Sequence, residues 1–190
     1  MNRIFLISGY AQSGKDSAAD ILQLLLTKES NKKVLILHYA DYLKFIASTY
    51  MGWDGEKDEK GRTLLQTLGT DKVRIALHQP LFWAEKVCDI IEILYDDFDY
   101  FIVPDCRYQN EIHYPMAIFP NKITTIRIGR EFYDNNLTIE QKNHISETEL
   151  SNYPHDYYIW SISGLDNLKI SVEKFLKLYN RRNNLDANIG

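Results

Sequence analysis

The sequence predicts an α/β protein: a five-stranded, mainly parallel sheet with helices on both faces, three layers in all. Three observations lead there. Five short apolar runs recur along the chain, at residues 4–8, 34–40, 99–104, 123–128 and 157–162. The first three are nearly continuous rather than alternating, as in strands buried on both faces. Between the runs lie stretches with helical spacing of apolar residues, and strands alternating with helices give a parallel sheet.

Each helix has its own signature. Residues 15–27 carry Ala18, Ile21, Leu22 and Leu25 at helical intervals. Residues 62–68 place Leu64, Leu65 and Leu68 on one face, with Gly69 as a terminator and Asp71 as the next N-cap. Pro80 can open the following helix, whose stripe is Trp83, Val87, Ile90, Ile91 and Leu94. Residues 167–179 form a last amphipathic helix, and the polar residues 181–190 read as a tail. The chain of 190 residues fits one domain over 1–180.

Composition narrows the function. A formal net charge of -4 speaks against a partner that is a nucleic-acid polymer, which calls for basic excess. A small anion is still compatible, because a cleft can focus positive potential. Cys88 and Cys106 lack C-x-x-C spacing and read as reduced thiols. No run reaches the about 20 apolar residues of a membrane helix, and the N-terminal apolar run is too short for a signal-peptide core. A soluble, cytoplasmic protein is the expectation, with a homodimer as the default assembly.

The stretch LISGYAQSGKDSAADIL carries the strongest chemical signal. A strand ends at Gly9, and Gly14-Lys15 opens a helix, the setting of a phosphate loop G-x-x-x-x-G-K-[ST]. Glycines let successive N–H groups converge on phosphate oxygens, and the helix N-terminus adds donors and a positive dipole end. Lys15 would reach the β and γ phosphates of ATP. Asp16 stands where the loop usually has a hydroxyl; a carboxylate is also a hard ligand for Mg²⁺, with the Ser17 hydroxyl nearby. Stabilisation of the helix start is the plainer reading of Asp16.

A second anion site has several candidates. Asp41 and Lys44 follow the second strand, where open sheets bind ligands, although Asp41 also reads as an N-cap. Arg62 and Gln66 share a helix face, and with Arg74 the arginines could grip a monophosphate or be a solvated face. Asp105 lies past the third strand, and could orient metal-bound water, accept a proton or fix an arginine. A helix cap, with Arg107 and Glu111 as an i,i+4 ion pair, explains the same residues. Arg130 ends the fourth strand on the same edge. In HISETE the S-x-x-E pattern of Ser146 and Glu149 reads as a capping box, which leaves His144 and Glu147 for chemistry. Tyr42, Tyr50, Trp53, Phe82 and Trp83 suit base stacking or core packing equally.

Taken in order, GYAQSGKD, ADYLK, GRTLLQTLGTDKVR, DCRYQNE and HISE resemble the deoxynucleoside monophosphate kinases of bacteriophages and related bacterial sequences. The resemblance covers roughly residues 4–150. It implies the P-loop nucleoside monophosphate kinase fold and transfer of the ATP γ-phosphoryl group to a deoxynucleoside monophosphate with Mg²⁺. It implies ATP phosphates at Gly9, Gln12, Ser13, Gly14, Lys15, Asp16 and Ser17. The acceptor would lie near Asp41, Lys44, Arg62, Gln66, Arg74, Asp105 and Arg107, with Arg130 on the lid side and the lid within 130–154. Lys15, Asp105, Arg107 and Arg130 are then the candidates for catalysis, and Asp16 for the metal. Another small-molecule kinase, of phosphomevalonate or dephospho-coenzyme A type, or an ATP-binding regulatory module, shares the loop alone.

Overall fold

The computed structural model describes residues 3–131 and 137–187. Five strands, β1 (Arg3–Ser8), β2 (Val34–Ile36), β3 (Tyr100–Cys106), β4 (Ile123–Arg130) and β5 (Tyr157–Ser161), form one sheet in the order β2-β3-β1-β4-β5. Every pairing is parallel. The continuous apolar runs follow from two-sided burial. On β1, Phe5 and Ile7 join one core and Ile4 and Leu6 the other, because successive side chains point to opposite faces.

One face is covered by α1 (Lys15–Ser30) and α8 (Leu165–Ala187). Ala18, Ala19, Leu22 and Leu26 of α1 meet Leu168, Val172, Phe175 and Leu176 of α8 over the sheet. The other face carries α2 (Ala40–Met51), α4 (Phe82–Ile93) and α5 (Asn110–Ile118). Trp83, Val87 and Ile91 form the buried stripe of α4, whereas Ile90 is exposed. Helix α3 (Glu59–Gln66) runs into a wider π-helical segment, Thr67–Ala76. Two short helices, α6 (Ile139–Asn143) and α7 (Ile145–Thr148), precede β5. Cys88 and Cys106 are both buried free thiols. Among the described residues, no helix is long and apolar enough to cross a membrane.

Several local expectations are corrected. Strand β2 stops at Ile36 instead of residue 40, because the Tyr39 and Ala40 N–H groups turn to Asp105 and begin α2. Asp41 is therefore in the first turn of α2 and does not cap it. Gly69 ends no helix and Asp71 caps none; the chain stays helical through both, with the Gly69 carbonyl accepting the Trp83 indole N–H at 3.0 Å. Pro80 precedes α4 without entering it, and its carbonyl accepts from Arg74 and Asn110. The last helix continues to Ala187, across most of the stretch read as a tail, and residues 188–190 lie outside the described ones.

Phe5 ties the sheet to α8, with ring contacts to Tyr100, Phe175 and Tyr179 and no exposed surface. Phe5→Ala is expected to lower the unfolding free energy by about 3–5 kcal/mol in a urea titration.

Candidate functional site

Strand order puts the C-terminal ends of β1 and β3 side by side, with Ser8 opposite Cys106. The loop after β1 and the turn after β3 thus open onto the same edge. Gly9 has no room for a side chain: a Cβ there would sit 2.5 Å from the Ile128 carbonyl oxygen. Gly14 precedes α1 at φ 93, a left-handed conformation that favours glycine. These two positions shape the loop, and the first turn of α1 that follows leaves its N–H groups without intrahelical partners.

Beneath the loop is a polar layer that sequence reading missed. The Ser8 hydroxyl lies 2.7 Å from His155 Nε2, and His155 Nδ1 lies 2.8 Å from the Tyr153 carbonyl oxygen. A carbonyl can only accept, so Nδ1 carries the proton and Ser8 donates to Nε2. Arg127, buried on β4, donates to the Leu150 carbonyl at 3.1 Å and lies over the Tyr10 ring. The base of the loop is thereby joined to residues 150–155.

A cavity of about 340 Å³ lies in front of the loop. Its walls include Gln12, Lys15, Asp16, Lys44, Arg62, Gln66, Arg74, Asp105 and Arg107 from the expected set. Gly9, Ser13, Gly14, Ser17, Asp41 and Arg130 are not among its lining residues. Arg130 instead donates to Ser163 Oγ at 2.7 Å. Along α3 and its wide continuation, Arg62, Leu65, Gln66, Gly69 and Thr70 all face the cavity, a helical stripe that mixes polar and apolar residues. The expected division into a polar face and a separate leucine face therefore fails at Leu65. His38 and Lys57 also line the cavity, and neither had a local signal.

Lys15 is buried, and its ammonium donates to the carbonyls of Gly9 at 2.9 Å and Tyr10 at 2.7 Å. Burial, and then the Arg107 guanidinium, pull its pKa down to about 7, while Glu147, Asp16 and Asp105 oppose the shift. Asp16 lies 3.5 Å from His38 Nε2, and Asp41 lies 3.3 Å from His38 Nδ1. The hydrogen bond with His38 holds the Asp16 carboxyl below its ordinary range and raises the His38 imidazole. As a metal ligand, Asp16 offers one exposed hard oxygen donor. Among the described residues no group of three or more His, Cys, Asp or Glu side chains is placed to hold a metal. That donor set fits a Mg²⁺ ion held mainly by phosphates and water rather than a protein cage.

The acidic and basic partners differ from those expected. Arg107 does not pair with Glu111; it precedes α5, so helical spacing does not apply. Its Nη1 pairs with Glu147 and donates to the Ser146 carbonyl at 3.3 Å. Glu147 also accepts the Ala11 N–H at 2.9 Å. The capping box forms at Thr138 and Gln141, not at Ser146 and Glu149. Glu149 accepts the Gln109 N–H at 2.7 Å, and His144 caps α7 by accepting from the Ser146 N–H. Of the stretch 130–154 expected to hold a lid, residues 132–136 lie outside the described ones.

A family model described as deoxynucleotide monophosphate kinase matches residues 27–172, a range that leaves out the loop between β1 and α1. The deoxynucleotide monophosphate kinase of Escherichia phage RB69 is 30% identical over 117 residues, 61% of this chain and 44% of that protein. That of Enterobacteria phage T4 is 27% identical over 118 residues, 62% of this chain and 45% of that protein. The matches thus span less than half the length of these curated relatives. Among solved structures, a sugar kinase from Janibacter sp. HTCC2649 aligns over 95% of both chains, with a TM-score of 0.52 and 11% identity. The APS kinase CysC of Mycobacterium tuberculosis, in complex with AMPPNP and APS, aligns over 93% of this chain and 98% of that one, with a TM-score of 0.50 and 11% identity. These two likenesses show a shared fold.

Arg74 occupies the cavity wall with its donors already engaged, by the Pro80 carbonyl, Asn110 and the buried Glu111 carboxylate. Its guanidinium also lies 3.9 Å from the centre of the Tyr108 ring. Burial pushes the Glu111 carboxyl up to about 7, against the pull of Arg74 and of the Arg107 and Tyr108 N–H groups. A carboxyl raised above its unfolded value binds more protons when folded, so its contribution to stability falls as pH rises from about 4.5 towards 7. Arg74→Ala strands the Glu111 charge and is expected to cost about 3–5 kcal/mol at pH 8. The loss shrinks at pH 5, where Glu111 can take up a proton; denaturant unfolding at the two pH values measures the difference.

Proposed function

The chain belongs to the deoxynucleotide monophosphate kinase family, and on that premise we propose that it transfers the γ-phosphoryl group of ATP to a deoxynucleoside monophosphate, giving ADP and the diphosphate. The observation that carries this reading is the gathering of Lys15, Asp16, Arg62 and Arg107 around one cavity, with the phosphate loop at one end.

The charges suit two polyanions. Lys15 is buried beside a second cation, and burial and then Arg107 disfavour its charge, a state that incoming β and γ phosphates relieve. The N–H groups at the start of α1 donate to the phosphate oxygens of ATP. Arg62 has no side-chain hydrogen bond or ion pair among the described residues and faces the cavity from α3, which suits it to the acceptor phosphate. Gln66, on the same face, brings an amide NH₂ with two donors and a carbonyl acceptor for the rest of that nucleotide. Arg107 lines the same cavity close to Lys15, where it can balance charge on the group in transit. Asp16 would hold Mg²⁺ through its exposed carboxylate, and the ion supplies charge neutralisation at the phosphate oxygens when bound. Asp105 has both oxygens engaged by the start of α2, so its part is to hold that wall in place.

The reaction demands alignment and charge neutralisation more than covalent help. ADP release from Mg-ATP, screened against deoxy- and ribonucleoside monophosphates, is expected to rise with at least one deoxynucleotide. A flat response across the panel defeats the reading. Arg107→Ala is expected to lower turnover about 10³-fold with folding intact. Arg62→Ala is expected to raise KM for the acceptor while KM for ATP stays near wild type.

A further inference from the structure

We propose that Glu147 is a positioning residue, a fixed anion that aims Arg107 at the phosphate loop. The inference rests on the phosphoryl-transfer reading above and assigns the acidic residue of HISE within that site.

The geometry is specific. The Glu147 side chain is 7% exposed, so its charge needs partners. Oε2 accepts the Ala11 N–H of the loop, and Oε1 pairs with Arg107 Nη1. One carboxylate therefore touches both parts that must stay in register: the loop for the donor phosphates and the arginine for the group in transit. Both contacts of Arg107 run through Nη1, to Glu147 and to the Ser146 carbonyl. Its Nε and Nη2 donors have no partner among the described residues. The guanidinium is thus held at one end and open at the other.

The neighbours hold Glu147 itself in place. His144 caps the short helix that carries it, and Glu149, two residues on, takes the Gln109 N–H of the turn that follows Arg107. Glu111 takes the main-chain N–H groups of Arg107 and Tyr108 in that turn. The backbone at Arg107 is therefore clamped by other residues, and Glu147 is left with the side chain. Lys15 and Arg107 are close enough for the arginine to disfavour the ammonium, and the carboxylate beside them offsets that repulsion. A lone Arg107 would move away from Lys15; a tethered one is preorganised where charge develops.

The test is a double-mutant cycle of Glu147→Gln and Arg107→Ala. Glu147→Gln is expected to lower kcat about 10²-fold, with both KM values within about threefold of wild type. In the Arg107→Ala background it is expected to add less than about twofold, because the residue it aims is gone. Wild-type kcat in Glu147→Gln, or losses that multiply in the double variant, overturns the proposal. Nuclear magnetic resonance of the Arg107 guanidinium reads the arrangement without turnover. Restricted rotation in wild type and free rotation in Glu147→Gln support it; free rotation in wild type overturns it. If wild type makes no ADP with any monophosphate, the reaction reading falls while the resonance measurement still decides the positioning claim.

Discussion

The two oxygens of Asp105 accept the main-chain N–H groups of Tyr39 and Ala40 at 2.9 and 3.0 Å. A helix start leaves such donors without intrahelical partners, and here they are met by a side chain 66 and 65 residues away. That contact ends β2, begins α2 and sets where His38 and Lys44 stand. Tyr39 extends the tie by donating its hydroxyl to the Glu111 carbonyl. Three segments distant in sequence thus share one joint at the end of β3, and the cavity is the space left beside it. A carboxylate with this structural duty is poorly free to act as a base, because protonating it would weaken the start of α2.

The loop after β1 and the strands were readable from local sequence for physical reasons. Gly9 and Gly14 answer to backbone geometry within the loop itself, and two-sided burial writes continuous apolar runs into β1 and β3. What stayed hidden is pairing across the chain. Arg107 meets Glu147 over 40 residues and Arg74 meets Glu111 over 37, distances at which no periodicity operates. The spacing of Arg107 and Glu111 suggested a helical ion pair, yet α5 begins at Asn110, after the arginine. Gly69 carries a strong local stop signal that tertiary contact overrides, since its carbonyl is satisfied by Trp83 from α4. His38 and Lys57 reach the cavity only because distant elements close it.

The acidic residues divide the labour of the site. Glu111 holds the backbone after β3 and Arg74, Glu149 holds the next N–H, and Asp105 holds α2. Arg74 and Arg107, which face the cavity, are thus placed by the anions Glu111 and Glu147. Such a framework leaves Arg62 and the open end of Arg107 as positive groups facing the cavity.

The wide helical segment from Thr67 to Ala76 bears on how this surface is inherited. An i→i+5 bonding pattern adds a residue to the turn, so the side chains after it are rotated against those before. Leu68 and Val73 nonetheless stay in the core, while Gly69, Thr70 and Arg74 look into the cavity. Chain length, more than residue type, decides which letters face the guest. A homologue with altered letters but the same count keeps the same facing positions. One with every letter intact and a single deletion presents a different surface, so gaps in this stretch are a sharper guide to divergent preference than percentage identity.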